Sequence, residues 1–160
     1  MTVLESVKYR AGDTFTEIFQ HRHDLLLTSA GSEVSEDYCG TVFKGSGKAE
    51  LVPEDGILLE KTTVSFESGD SVFDVLRRCL REQNVHFEYV DAKAYGSTYI
   101  EGIGNLYEFD CGEQSGWLYF VNGISPGLGC SGYTVANGDE IVFAYTCDMG
   151  ADLGVEKTNE

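Results

Sequence analysis

Residues 115–123 read SGWLYFVNG, and this stretch decides the fold of the chain. The run from Trp117 to Val121 is wholly apolar or aromatic, which is typical of a β-strand. The Asn122-Gly123 pair that follows is a strong signal for a tight turn between two strands. The sequence therefore predicts a β-hairpin whose first arm is this strand.

Further strands and one helix are predicted around this hairpin. The strands are expected at residues 39–44, 56–66, 85–90, 98–103, 106–109 and 141–146, and a second tight turn at residues 137–139 precedes the last of them. Two strands, a helix and then several more strands give an α+β fold. We expect a β-grasp-like mixed sheet with the helix packed across one face.

The helix is predicted from Ser71 to about Glu82. Ser71-x-x-Asp74 resembles a capping box, in which the hydroxyl and the carboxylate each accept a hydrogen bond from a backbone amide at the helix start. Val75, Leu76 and Cys79 recur at the spacing of one helical face. These local signals predict an amphipathic helix that begins at Ser71.

The N-terminal third contains an apparent partial repeat. Residues 7–19 resemble residues 64–76 at a constant offset of 57, and each copy predicts a strand, a Gly-Asp turn and a helix. We therefore divide the chain into a partial strand–turn–helix unit with its linker at residues 1–35, a main domain at 36–154 and a tail at 155–160.

Charge argues against two classes of partner. The chain has 27 acidic and 11 basic side chains, a formal net charge of −16. Such a field repels phosphate backbones and anionic lipid, so nucleic acid and membrane surfaces are poor candidate partners. No apolar run approaches ~20 residues, so membrane insertion is not expected either. Residues 1–10 lack the apolar core of a signal peptide, so we expect an exported protein to be represented here by a mature piece of a longer chain.

Five cysteines are many for a chain of this length, and they are Cys39, Cys79, Cys111, Cys130 and Cys147. No C-x-x-C spacing occurs, and the three histidines do not complete a zinc pattern. A disulfide framework in an oxidising compartment is the better interpretation. Bridges from Cys111 to Cys130 and from Cys79 to Cys147 are candidates, which leaves Cys39 as the odd thiol.

Several ordered motifs resemble one known family. They are SGWLYFVNG at 115–123, GCS at 129–131, NGDEI at 137–141, YEFDCG at 107–112 and YTCDMG at 145–150. Together they are similar to the C-terminal domain of transcobalamin and intrinsic factor, especially its bacterial cell-surface branch, over residues 38–154. The resemblance implies a β-grasp-like fold. In the vitamin carriers, this domain closes over cobalamin that a larger helical barrel holds. The chain departs from the family pattern at residues 124–128, which are less aromatic, and at Phe143, where tryptophan is common.

Two alternatives are open for the aromatic strand. Alternation places Trp117 and Tyr119 on one face and Leu118 and Phe120 on the other. If the second pair forms the core, Trp117, Tyr119 and Tyr133 form an exposed aromatic patch. Otherwise Trp117 is a core residue. On the first alternative the ligand-binding candidates are Trp117, Tyr119, Asn122, Gly123 and Tyr133.

The sequence contains no nucleophile–base pair or metal constellation that would indicate an enzyme. Asp148 and Asp152 lack the ligand spacing of a calcium loop, so neither a metal nor a cofactor is predicted. We expect a non-catalytic extracellular or cell-surface module of a larger surface protein, which binds other surface proteins or a small ligand such as a corrinoid. The alternative is a free-standing cobalamin-binding domain.

Overall fold

A computed structural model describes residues 2–5, 58–59, 62–92 and 96–155. Its strands are β1 (Thr2–Glu5), β2 (Thr62–Val64), β3 (Phe87–Ala92), β4 (Ser97–Ile103), β5 (Leu106–Tyr107), β6 (Gly116–Val121) and β7 (Glu140–Thr146). An α-helix, α1 (Val72–Glu82), follows β2, and a 3-10 turn (Ala151–Leu153) follows β7.

The described strands form two sheets. One has the order β2-β1-β7-β6, in which β1 runs parallel to β7 while the other neighbours are antiparallel. The other is antiparallel, with the order β3-β4-β5 and a register shift between Glu88 and Tyr89. Mixed strand directions together with a helix confirm the predicted α+β class.

Helix α1 begins where the sequence predicts. The Asp74 amide donates to Ser71 Oγ (3.2 Å), and the Ser71 amide donates to Asp74 Oδ2 (3.0 Å), so the capping box is complete. The side of the helix that carries Leu76 and Leu80 is buried. These side chains belong to the same core cluster as Phe120 and residues of β7, which holds the helix against the strands.

The strand predictions are confirmed within a few residues for β3, β4, β5, β6 and β7, and the predicted strand at 56–66 contains β2. The predicted strand at 39–44 and the first copy of the repeat lie outside the described residues. So does the domain boundary at residue 35, which stays a prediction. Within the range assigned to the N-terminal unit, β1 pairs with both β2 and β7.

The predicted hairpin forms its turn but lacks its second arm. Asn122 and Gly123 both have positive φ (51° and 81°), and Val121 and Ile124 exchange backbone hydrogen bonds across them. Only this one bridge follows, and the strand that pairs with β6 is β7. The chain leaves the turn because residues 125–135 bind elsewhere, as described below. The turn at 136–139 is confirmed by a hydrogen bond from the Asp139 amide to the Ala136 carbonyl (3.2 Å).

The N-cap of α1 gives a first prediction. Ser71→Ala removes the acceptor for the Asp74 amide, and we expect it to lower the free energy of unfolding by about 1 kcal/mol. Ser68→Ala, in the exposed turn just before, is the matched control and is expected to change little. Urea unfolding of both variants measures the difference. Equal losses would contradict the role given to the Ser71 hydroxyl.

The same turn gives a prediction on pH. Hydrogen bonds from Ser71 hold the pKa of Asp74 below its ordinary value, and bonds from the Glu67 amide and Arg78 do so for Asp70. A carboxylate with a lowered folded pKa stabilises the protein above its unfolded pKa, about 4, and this stabilisation is lost as pH falls through the folded pKa.

We therefore expect the loss of stability between pH 7 and pH 3 to be smaller in Asp74→Asn than in the wild type, as measured by urea unfolding at both values. Glu113→Gln, which changes an exposed carboxylate, is the control and is expected to retain the full loss. An unchanged loss in Asp74→Asn would contradict the assignment.

Candidate functional site

Residues 125–135, here called the 125–135 loop, are held on the N-terminus of α1. The Val72 amide donates to the Tyr133 carbonyl (2.9 Å) and the Phe73 amide to the Cys130 carbonyl (3.0 Å). In return, the Val135 amide donates to the Asp70 carbonyl (3.0 Å). The first amides of a helix have no partner within the helix itself, so the loop supplies acceptors that the helix requires.

The same loop also packs along β4. The Thr98 amide donates to Ser131 Oγ (2.7 Å), and the Cys130 thiol lies 3.5 Å from the Thr98 carbonyl oxygen. Gly129 lies so close to this strand that a Cβ there would be 2.3 Å from Ser97 Cβ. The close approach therefore requires glycine at position 129.

Tyr119 of β6 fixes the loop from the other side. Its hydroxyl donates to the Leu128 carbonyl (2.8 Å), and its ring stacks on Phe143 of β7 at a centroid distance of 5.7 Å. Burial raises the pKa of Tyr119 to about 12, so the hydroxyl keeps its proton and remains a donor at neutral pH.

These contacts leave a cleft of about 270 Å³ between the loop and the strands. Most of its lining is apolar or aromatic. The residues are Thr98, Tyr99 and Ile100 of β4, Trp117, Leu118 and Tyr119 of β6, Phe143 of β7, and Ser125, Gly127, Leu128, Gly129 and Cys130 of the loop. Tyr99 and Leu128 are the exposed large side chains of the lining, at 43% and 46%, so they lie where the cleft opens to solvent.

Trp117 is a core residue, which is the second of the two alternatives. It is 6% exposed, its ring packs edge-on against Tyr145 at 5.3 Å, and its Nε1 donates to the Leu106 carbonyl (2.8 Å). Tyr119 is also buried. An exposed patch of Trp117 and Tyr119 is therefore not formed, because both rings pack inside the protein and line the cleft from within.

The cleft brings together only part of the predicted ligand set. Asn122 links the two ends of the loop region, since its side-chain Nδ2 donates to Asp139 Oδ1 (2.9 Å) and its Oδ1 accepts from the Glu140 backbone amide (3.0 Å). Asn122, Gly123 and Tyr133 are not among the lining residues. Sequence reasoning missed Tyr99 and Phe143, although Phe143 pairs directly with Tyr119 across β6 and β7.

Both predicted disulfides are wrong. Cys79, Cys111 and Cys130 are free thiols, and all three are buried, so neither Cys111–Cys130 nor Cys79–Cys147 is bridged. Each thiol occupies the core as a small apolar group, and burial raises the pKa of Cys111 to about 12 and that of Cys130 to about 11. Cys39 lies outside the described residues.

The segment that contains the cleft lining is acidic. Residues 96–155, which contain all of the lining residues, carry eight aspartates and glutamates and no lysine, arginine or histidine. At the mouth of the cleft, the Tyr99 hydroxyl donates to Glu108 Oε2 (2.6 Å). Burial, and then this hydrogen bond, raise the pKa of Tyr99. This acidic segment, together with the net charge of −16, disfavours anionic ligands.

The described part of the chain contains no group of three or more side chains placed to hold a metal ion. Asp152, considered above for calcium, instead accepts hydrogen bonds from the Thr146 hydroxyl and from the Cys147 amide (2.7 Å). No helix within the described ranges is long and apolar enough to cross a membrane.

Comparisons with known proteins give a family match without a function. Residues 69–147, just under half of the chain, match the model of a domain of unknown function, DUF4430. The matched residues include every residue that lines the cleft. No curated protein matches the chain. Among solved structures, the chain is similar to haptocorrin in complex with Cbi, at 18% identity and a TM-score of 0.48 over 53% of this chain. It spans only 21% of that haptocorrin chain.

The packing of the loop gives a third prediction. Gly129→Ala places a methyl group against Ser97 and the Thr98 carbonyl, and we expect a loss of about 1–3 kcal/mol in the free energy of unfolding. Gly116→Ala is the matched control because its new Cβ would meet only Tyr99 and Glu108 at ordinary distances of 3.6 and 3.7 Å. Thermal unfolding compares the two. A Gly129→Ala variant as stable as Gly116→Ala would show that the loop does not pack on β4 in solution.

Proposed function

We propose that this chain is a non-catalytic binding module of a larger extracellular or cell-surface protein, and that its cleft takes the edge of a flat, largely apolar ligand such as a corrinoid. The observation that carries the proposal is the aromatic cleft formed by β4, β6, β7 and the 125–135 loop. Ligand sites of small molecules are typically apolar and aromatic clefts of this kind.

Rigidity of the walls supports a binding role. The loop is fixed by backbone hydrogen bonds to α1, by the Tyr119 hydroxyl and by the contact of Gly129 with β4. A pre-formed cleft loses little conformational entropy when a ligand enters, which increases affinity.

The volume of the cleft limits what it can hold. At about 270 Å³ it is slightly below the range of about 300–1,000 Å³ that is usual for small-molecule pockets. A whole macrocycle does not fit such a space, whereas the rim of a flat ring, or one of its amide side arms, does. Contact with only one edge of the ligand is consistent with a module that works beside another domain.

The titratable groups in the cleft support binding rather than nucleophilic catalysis. A cysteine nucleophile reacts as its thiolate, yet burial raises the pKa of Cys130 to about 11. Tyr119 is likewise protonated at neutral pH and is already bonded to the Leu128 carbonyl. In this proposal both groups therefore act as parts of the wall.

The finer points of fold and location belong to the proposal as well. A β-grasp arrangement is supported by β1, which lies between antiparallel β2 and parallel β7, and by α1, which follows β2. An extracellular or cell-surface location is supported by the resemblance of the motifs at 107–150 to the bacterial cell-surface branch of the family.

The test is a titration of the full chain with cobinamide and with cyanocobalamin. Corrin absorbance and the fluorescence of Trp117, the single tryptophan, report binding. We expect saturable binding in the micromolar range. Because the chain has a net charge of −16 and the segment that lines the cleft is acidic, cobinamide, which lacks the nucleotide phosphate, is expected to bind at least as tightly as cyanocobalamin.

Two variants link this binding to the cleft. Leu128→Asp places a charge at its mouth, and we expect an affinity loss of at least about tenfold, equivalent to about 1.4 kcal/mol. Ile124→Asp adds the same charge at an exposed aliphatic residue of the same connection that does not line the cleft, and it is expected to bind as the wild type does. A flat titration, or equal losses in the two variants, would refute the corrinoid proposal.

A further inference from the structure

Phe109 and Met149 have a backbone conformation that is unusual for their residue type. Both are left-handed, with φ of 66° and 47°. Every other described residue with positive φ is a glycine or one of three asparagines, Asn84, Asn105 and Asn122. Glycine and asparagine adopt this conformation readily, whereas bulky side chains are strained in it. At positions 109 and 149 the chain therefore has a large side chain on a left-handed backbone, whereas the other described left-handed positions have Asn or Gly.

These two side chains are also strongly exposed. Phe109 is 61% exposed and Met149 is 67% exposed. Burial in the core therefore does not offset the strain of either backbone. The backbone hydrogen bonds at positions 109 and 149 do not require a phenylalanine or methionine side chain either. The Phe109 amide donates to the Ser115 carbonyl (3.0 Å) and the Met149 amide to the Gln114 carbonyl (2.9 Å), and any residue with a backbone N–H can form these bonds.

The backbones of the two residues are held at one end of the sheet. Their amides bind the consecutive carbonyls of Gln114 and Ser115, where β6 begins and β7 ends. The Phe109–Met149 patch is defined as these two exposed side chains. Exposed apolar side chains that leave the backbone at one end of a sheet, and strain without a folding benefit, both indicate an interaction site.

Charge identifies the kind of partner. Glu108 directly precedes Phe109, and Glu113 lies in the turn between Phe109 and Gln114. With no basic residue from 96 to 155 and a net charge of −16, a second copy of this chain is repelled. A basic surface with apolar side chains complements the patch.

We propose that the Phe109–Met149 patch docks a basic protein segment, in which apolar side chains contact Phe109 and Met149 while lysines or arginines meet the surrounding carboxylates. This docking is separate from the ligand cleft, because neither residue lines it. The patch thus combines apolar side chains with a charged rim, and protein interfaces commonly have an apolar centre and a polar rim.

The test uses the full chain and a dye-labelled peptide in which lysine alternates with leucine, with fluorescence anisotropy as the readout. We expect saturable, salt-sensitive binding of this peptide and none of its glutamate–leucine counterpart. Phe109→Asn and Met149→Asn are each expected to weaken binding by about fivefold or more. Because asparagine suits a left-handed backbone, both variants should keep or raise the Tm of the protein.

Ile124→Asn is the matched control, since it removes an exposed apolar residue elsewhere (70% exposed) and should leave peptide binding unchanged. Equal binding by all four proteins would overturn the proposal by showing attraction to charge alone. A Tm that falls in Phe109→Asn and Met149→Asn would show that the chain itself uses these side chains for folding. A dimer in sedimentation that both variants abolish would make a second copy the occupant instead.

Discussion

The structure depends most on the contact between the N-terminus of α1 and the 125–135 loop. The helix start has amides that need acceptors, and the carbonyls of Cys130 and Tyr133 supply them. Because these bonds fix the loop, they also fix one wall of the cleft. The ends of the loop region are then joined by Asn122, whose side chain bonds to Asp139 and to the Glu140 amide. One requirement of helix geometry thus sets the position of a cleft wall that lies far along the sequence.

Features that depend on neighbouring residues could be predicted from the sequence. The capping box of Ser71 and Asp74 located the start of α1, and the Asn-Gly-Asp sequence at 137–139 located the turn before β7. Strand positions followed from apolar and aromatic runs, and the α+β class followed from the order of elements. In each case the deciding interaction joins residues that are only a few positions apart. The sequence of that short segment is therefore enough to predict the structure.

Features that depend on distant contacts could not be predicted. Asn122-Gly123 forms its turn, yet no second arm follows, because residues 125–135 bind α1 and β4 instead. The cysteine count favoured bridges, and Cys147 is disulfide-bonded, but neither pairing proposed from the sequence forms, because Cys79, Cys111 and Cys130 are free thiols in the core. For the candidate site, the aromatic strand supplied Trp117 and Tyr119, but Tyr99 and Phe143 join them only through sheet pairing and the packing of β4 near β6.

The position of β1 has a consequence for how the chain reaches this structure. Thr2–Glu5 lies between β2 and β7, and its partner Glu140–Thr146 is separated from it by most of the sequence. Pairings between such distant segments have a high contact order, which slows folding because the intervening chain must first be ordered. During synthesis the central strand pair cannot form until β7 has left the ribosome. Until then the apolar strand β6 lacks its main partner, and its unpaired edge is exposed to contact with other chains.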